Sequence, residues 1–338
     1  MVEQYTSSIA IISENPNIGA LGSAEYQVKN DRIKGFCPSI IHSPRQYLSY
    51  LEDIVLPLAD KHHASRIIDR ALYSKDPHTL SDGLANFGLS VEAAIPLGGK
   101  WENHFWIMVG TNRQGRLMTQ KMKNAITDLA NEAQRQKVEP VKSLPEHFKL
   151  ETIKGVDLTP ADFESLVEIF DHAFKAYLTP MTDPNYLAGW VNDESTLPYV
   201  IRNHRGEIVA VANADLAQMN FDNSDQTFKF MEIGDSATHP NYRLYGLNRI
   251  IKDKIIREGK RLGFDNVHTE TRASWKSPNF GNAKNGMKFC GTLWNNCIIQ
   301  GPEDVKESAD PGLAEWARQM GSLNVWAISP NNPNWEHF

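Results

Sequence analysis

Cysteine is scarce in this chain. There are three in 338 residues (Cys37, Cys290 and Cys297), an odd number without a metal-type spacing. A disulfide framework is therefore not expected, and neither is a metal. Long apolar runs are missing as well: no stretch approaches the roughly 18 residues that a membrane span needs. The opening MVEQYTSSIAIISENPN has an apolar run of four and no basic residues ahead of it, which is not the pattern of a signal peptide. Positive charge is in deficit, with 35 Lys plus Arg against 41 Asp plus Glu and a net charge of −6. That balance excludes holding nucleic acid or an anionic membrane through bulk basic surface, although a local pocket for a small anion stays open. What remains is an ordinary globular composition, 41% hydrophobic and 22% charged. The expectation is a soluble, cytoplasmic chain of two domains, at about 150 residues per domain.

The boundary is read at Lys137–Phe148, KVEPVKSLPEHF, which has two prolines and no periodicity. It follows a polar helical stretch, Met118–Gln136, with Met122, Ile126 and Leu129 on one face. The expected domains are 1–146 and 147–338. The second opens with Thr159-Pro160, a helix cap with proline at the first helical position. Phe163, Leu166, Val167, Phe170, Ala173, Phe174 and Tyr177 then form one apolar helix face. A hairpin follows, with Tyr199–Arg202 and Ile208–Ala214 flanking Asn203–Gly206. Next come a strand (Phe228–Ala237), a helix (Leu247–Leu262) stopped by Gly263, a strand (Asn266–Arg272), a short helix near Gly281–Gly286 and a strand (Cys290–Ile299). An insert, Gly301–Met320, is expected to be partly helical, and a last strand covers Leu323–Ile328. The first half carries a fainter copy: helix Pro44–His63, strand Arg66–Tyr73, helix His78–Asn86, Gly88, and strands Leu89–Ile95 and Asn103–Val109. ANFGLSVEAAI aligns loosely with AKNGMKFCGTL, so a duplicated α/β unit is expected.

The informative segment is FMEIGDSATHPNYRLYGLNRIIKDKI, Phe230–Ile255. A strand ends at His239-Pro240, and a short loop, Arg243-Leu244-Tyr245-Gly246-Leu247-Asn248, opens the next helix. Such a loop presents backbone N–H groups at the positive end of a helix, a site suited to phosphate. Gly246 permits close approach of the backbone, and Arg243 adds a charge-assisted contact.

This loop resembles the pyrophosphate-binding motif of the GNAT acetyltransferases, Arg/Gln-x-x-Gly-x-Gly/Ala. Further blocks are similar to the β-lysine N-acetyltransferases: Phe174 to Leu187 (FKAYLTPMTDPNYL), Glu232 to Thr238, Arg272-Ala-Ser274, Gly291 to Asn296, and Leu323-Asn324-Val325-Trp326. They occur in the family's order over about Phe163 to Ile328. The implied fold is α/β, a GNAT-type mixed sheet flanked by helices, with an N-terminal α/β domain resembling a degenerate partial GNAT unit. The implied reaction moves an acetyl group from acetyl-CoA directly to the primary amine of a small amino acid such as β-lysine or lysine. No nucleic acid or membrane partner is implied, and a homodimer stays open.

Acyl transfer needs a neutral amine, whereas a free ammonium has a pKa of ~10. Glu232, six residues before Thr238, is where the superfamily carries its general base, and Asp235 is the alternative. Strand alternation sends these two to opposite faces, so at most one should point straight into a given pocket. The resemblance assigns the thioester-polarising amide to Ala237 and Thr238. It assigns cofactor contacts to Arg243–Asn248, Asn279 and Asn282, and substrate contacts to Phe174, Tyr177, Asp183, Tyr186, Arg272, Asn295, Asn296, Asn324 and Trp326. Arg272 suits a substrate carboxylate and Asp183 a substrate ammonium. Three positions depart from the pattern. Asn248 replaces Gly or Ala, Leu244-Tyr245 replaces Gly-Lys, and Asn282 stands where many members carry a tyrosine that protonates the departing thiolate.

Other features read as structural. Adjacent His62 and His63 point about 100° apart on a helix and cannot readily share an ion. Cys290 and Cys297 read as small buried hydrophobes rather than nucleophiles, and Trp101, Phe105 and Trp106 as core or interface. Two other functions fit the same sequence, a protein or peptide N-acetyltransferase and a non-catalytic acyl-CoA-binding module. No second cofactor site is expected in the first half, which lacks the Arg-x-x-Gly loop.

Overall fold

The computed structural model describes residues 10–12, 23–113, 116, 118–220, 226–301 and 320–329. The first half holds β1 (Ala10–Ile12), β2 (Ser23–Gln27) and β3 (Arg32–Ile41), then α1 (Pro44–Tyr50), which runs through a π turn into α2 (Leu56–Lys61). Next come β4 (Arg66–Tyr73), α3 (Ser81–Ala85), β5 (Ser90–Pro96), β6 (Phe105–Asn112) and α4 (Gln120–Gln134). The second half holds β7 (Lys149–Thr152), α5 (Pro160–Ala173), α6 (Pro184–Asn192), β8 (Thr196–Arg202), β9 (Ile208–Asn220) and β10 (Thr227–Thr238). It continues with α7 (Leu247–Arg261), β11 (Asn266–Arg272), α8 (Lys276–Lys284), β12 (Lys288–Ile298) and β13 (Met320–Ile328).

Local chemistry sets the ends of these elements. Thr159 and Asp162 form a reciprocal capping box at α5, with Pro160 at its first position. Asp183 caps α6 and Ser43 caps α1. Gly263 stops α7 in the left-handed conformation, at φ +72. The apolar face read through Phe174 and Tyr177 outlasts its helix: α5 stops at Ala173, and Phe174 is already extended. The β2–β3 hairpin was not foreseen, because its strands, 5 and 10 residues long, carry no clean alternation. The insert after Gly301 lies outside the described residues up to Gln319.

All thirteen strands join one sheet, in the order β2-β3-β4-β6-β5-β12-β13-β11-β10-β9-β8-β7, with β1 on β9. Lys137–Phe148 carries neither helix nor strand, yet the sheet runs unbroken across the halves it connects. The order is repeated. In β2-β3-β4-β6-β5 the successive pairs are antiparallel, parallel, antiparallel and antiparallel, and β9-β10-β11-β13-β12 repeats that series. Local irregularities repeat too. The register shift at Val91/Ala93 in the β5–β6 pair matches one at Phe289/Gly291 in the β12–β13 pair. Gly88 and Gly286, the glycines aligned between ANFG and AKNG, both have positive φ, +67 and +83.

The halves meet where β5 pairs with β12, Ala93 against Gly291. Gly291 has φ +140, and a Cβ there would lie 2.1 Å from the Glu92 carbonyl oxygen, so only glycine fits this seam. Beside it Ile68, Leu72, Trp101 and Trp106 of the first half pack with Phe228, Leu293 and Val325 of the second in one buried cluster. Trp101 and Trp106 are core residues, as read from the sequence.

Candidate active site

The site begins with a register that stops. β10 and β11 run parallel, yet they pair only from Phe230↔Asn266 to Glu232↔His268. Beyond Glu232 the strands part, and Thr269 spans the start of the gap with an Oγ1 hydrogen bond to the Ile233 carbonyl at 2.8 Å. The parting opens a cleft of about 1580 Å³, walled by β10, β11, α6, α7 and α8.

At one end of the cleft lies the loop before α7. Leu244 and Gly246 both have positive φ, +75 and +76. The first N–H groups of α7 have no intrahelical partner by helix geometry, so the loop and helix start form a concave set of donors facing the cleft. Arg243, Leu244, Gly246, Leu247 and Asn248 line it. Tyr245 does not, because its ring packs on Phe148 with centroids 5.5 Å apart.

Carboxylates gather around the β10 strand. Antiparallel register puts Asp215 of β9 opposite Glu232, and both line the cleft with Asp235. The alternation argument, which separated Glu232 from Asp235, fails here. A bulge between Gly234 and Ala237, with Asp235 at φ +44, inserts a residue and changes the parity of the strand. Asp235 accepts hydrogen bonds from the Tyr177 hydroxyl (2.8 Å) and the Trp190 indole N–H (3.0 Å), one on each carboxylate oxygen. Burial raises its pKa against the pull of those two bonds. Burial also raises that of Asp215, helped by the charges of Asp235 and Glu232. Glu232 keeps its side chain 35% exposed, with His268 Nε2 3.8 Å from Oε2. His268 is buried, which lowers its pKa and favours the neutral imidazole.

Among curated proteins, the β-lysine N(6)-acetyltransferase of Methanococcus maripaludis is 26% identical to this chain over 211 residues, 60% of this chain and 70% of its own length. The N-acetyltransferase YodP of Bacillus subtilis is 26% identical over 138 residues; the match spans 41% of this chain and less than half, 46%, of YodP. Both relatives are N-acetyltransferases by name, and this chain is similar to each of them. No family model matches it. Among solved structures, the ribosomal-protein-S5-alanine acetyltransferase of Vibrio fischeri is similar, with a TM-score of 0.41 and 11% identity, over 58% of this chain and 99% of its own. Arabidopsis thaliana NAA60, solved with acetyl-CoA, has a TM-score of 0.40 and 12% identity, over 54% of this chain and 97% of its own.

The fold brings part of the expected set together. Phe174, Tyr177, Tyr186, Glu232, Asp235, Ala237, Thr238, Arg272 and Asn282 all line the cleft. Arg272 is 7% exposed, its guanidinium 3.5 Å from the centre of the Trp275 ring and 5.0 Å from that of Phe174. The remaining expected residues lie elsewhere. Asp183 is an exposed helix cap, accepting the Asn185 N–H. Asn279 is fully buried: it donates to the Arg272 carbonyl and accepts from Asn324 Nδ2 (2.9 Å) and Trp326 Nε1 (2.8 Å). Asn279, Asn324 and Trp326 thus form an interior joint behind β13, with their polar groups turned to one another. Asn295 and Asn296 belong to the seam, where the Arg116 guanidinium of the first half reaches both their carbonyls.

Several contributors escaped the sequence reading. Asp215 was legible only through cross-strand register, Trp190 and Trp275 only through folding. Glu270 on β11 forms an ion pair with Arg70 on β4, so the first half reaches the chemistry. The oxygens of Glu232 and Glu270 and a nitrogen of His268 lie within 4.8 Å of one another. The cysteines are not activated: burial pushes the thiols of Cys290 and Cys297 up to about 12 and about 11. His62 stacks on Tyr26, centroids 4.5 Å apart.

Proposed function

We propose that this acetyltransferase acetylates a primary amine of a small cationic amino acid of the lysine or β-lysine type. The observation that carries the reading is the cleft's polarity. Asp215, Glu232 and Asp235 line it, and so does Arg272. An acidic group of three suits an ammonium, and a guanidinium suits a carboxylate. A molecule bearing both is an amino acid with a second amine. The name of the Methanococcus relative supports the same class.

In this reading Glu232 takes the proton of the attacking amine, directly or through one water. Its carboxylate is the partly exposed one, whereas both oxygens of Asp235 are already held by Tyr177 and Trp190. Asp235 and Asp215 hold the amine end of the substrate. Acetyl-CoA, bound where β10 and β11 part, supplies an acyl group activated as a thioester. The loop and α7 start (Arg243 to Asn248) receive the pyrophosphate, and the backbone amide at Ala237 or Thr238, beside the bulge, stabilises the oxyanion. The first half is read as a worn copy of the same unit that no longer holds a cofactor.

The test is CoA release measured across β-lysine, lysine, diamines, polyamines and peptides. Selective turnover of a diamino acid is expected. A clear preference for peptides would overturn the substrate class in favour of a protein or peptide N-acetyltransferase.

A further inference from the structure

Lys252 lies on α7 and lines the cleft, yet its side chain is withdrawn from solvent, at 4% residue exposure. Nζ makes one hydrogen bond among the described residues, 2.8 Å to Asn282 Oδ1. The Asn282 amide in turn donates to Thr271 Oγ1 on β11, also at 2.8 Å. No carboxylate is paired with the ammonium among the described residues. A buried ammonium with a single neutral partner is costly for folding and leaves two N–H groups for something else. The Lys252–Asn282–Thr271 chain crosses from α7 over α8 to the strand that parts from β10. All three residues line the same cleft as the phosphate-type loop and the carboxylates.

The geometry points to Lys252 as the group that protonates the departing CoA thiolate, presented by Asn282. This rests on the donor site proposed above. As the carbon–sulfur bond of the tetrahedral intermediate breaks, its electron pair goes to sulfur and one Nζ proton follows, leaving neutral Lys252 and CoA thiol. The proton taken from the amine stays with Glu232, and solvent resets both groups. Burial alone has brought the Lys252 ammonium down to about 8, close to the ordinary range of a thiol, which is the match an efficient proton donor needs. Asn282 occupies the place where many members of the wider superfamily carry a tyrosine, which the β-lysine enzymes tend to lack. In this chain the same spot holds the acceptor that fixes the lysine.

The test pairs binding with spectroscopy. Lys252→Met is close in length and removes a buried charge, so it is expected to fold at least as well as the wild type. Asn282→Leu, which keeps the lysine and removes its holder, is the second variant. CoA itself is bound to each protein, and its thiolate is followed by ultraviolet absorbance against pH. An ammonium beside the sulfur should give about tenfold or more thiolate at a given pH in the wild type than in Lys252→Met. Asn282→Leu should fall between the two. Turnover with acetyl-CoA should drop about 100-fold in Lys252→Met, with the Kd of CoA within twofold of wild type. Equal thiol titration in wild type and Lys252→Met would overturn the assignment. So would a weakened Kd at unchanged kcat, which would make Lys252 an anion anchor. If the wild type binds no CoA, the donor-site reading fails first and takes this one with it.

Discussion

Replacing Arg70 tests the bond between the two halves and the cleft in one experiment. The Arg70–Glu270 pair is almost dry, with side-chain exposures of 11% and 9%. Burial opposes the charge on Glu270, but the charge and hydrogen bond of Arg70 outweigh it and hold the carboxyl below the usual range. Burial likewise opposes the charge on Arg70, which Glu270 and then Glu232 restore. Arg70→Met leaves a buried carboxylate without its counter-ion, a change that costs about 3–5 kcal/mol in comparable pairs. One guanidinium nitrogen, Nη1, has no partner among the described residues, so the pair is imperfect and the lower end is expected, about 3 kcal/mol. At about 2–4 °C per kcal/mol for a unit of this size, the melting temperature should fall by about 6–12 °C. The double variant Arg70→Met/Glu270→Met should recover most of it, because removing both charges also removes both desolvation penalties. The pH dependence follows in sign. Glu270 has a depressed folded pKa, so the pair stabilises above the unfolded value of ~4.3, and this contribution is lost as pH falls through the folded value. The gap between wild type and Arg70→Met should therefore narrow in acid. Scanning calorimetry from neutral pH to below 4 is the assay. A double variant no more stable than the single one, or a gap that widens in acid, would refute the reasoning.

Gly291→Ala should destabilise the chain by at least ~2 kcal/mol, because a Cβ cannot pass the Glu92 carbonyl and Ala93; urea unfolding measures it, and a neutral outcome would mean that the seam tolerates a side chain. Glu232→Gln should lower kcat about 10²–10⁴-fold while leaving CoA affinity unchanged, whereas Asp215→Asn should chiefly raise KM for the amine; steady-state kinetics with both substrates separate the two. Calorimetric titration with CoA should give one site per chain, and a stoichiometry near two would show that the first half still binds.

Much of the second half was legible in its sequence because its signals are local. The Thr159-Pro160 cap, the Asn203–Gly206 turn and the Gly263 stop each depend on neighbours a few residues away, and β11 runs over Asn266–Arg272 as read. The loop at Arg243 to Asn248 was legible for the same reason. Site residues were less so, because placement depends on events that no short window records. One bulge at Asp235 reversed the parity of a strand and put two carboxylates in one cleft. Asn279, Asn324 and Trp326 look like ligands in a linear motif, but folding turns them toward each other. Asn295 and Asn296 are drawn to the seam by Arg116, 179 and 180 residues away in sequence. Arg70 could not be found from its own surroundings, since its partner lies 200 residues on.

The repeated topology shows what differs where the cleft opens. The parallel pair β3–β4 is the counterpart of β10–β11. After its bulge β3 resumes pairing, Ile40 with Leu72 and Ile41 with Tyr73, and the strands stay together to their ends. β10 does not resume pairing with β11. In the first half the space beside β4 is taken up by Asp69. This carboxyl is fully buried, receives hydroxyl bonds from Tyr47 (2.6 Å) and Tyr50 (2.9 Å), and sits so close to Gly35 that a Cβ there would meet it at 2.1 Å. A closed ladder with an interior polar knot leaves no parted backbone edge between β3 and β4. An opened ladder needs its parted strands held at a fixed spacing, and here a rigid neighbour can contribute. Arg70, projecting from that closed ladder, meets Glu270 just beyond the last β10–β11 pair, Glu232↔His268. The first half thus braces β11 beside the cleft of the second, a physical reason for the two halves to share one sheet.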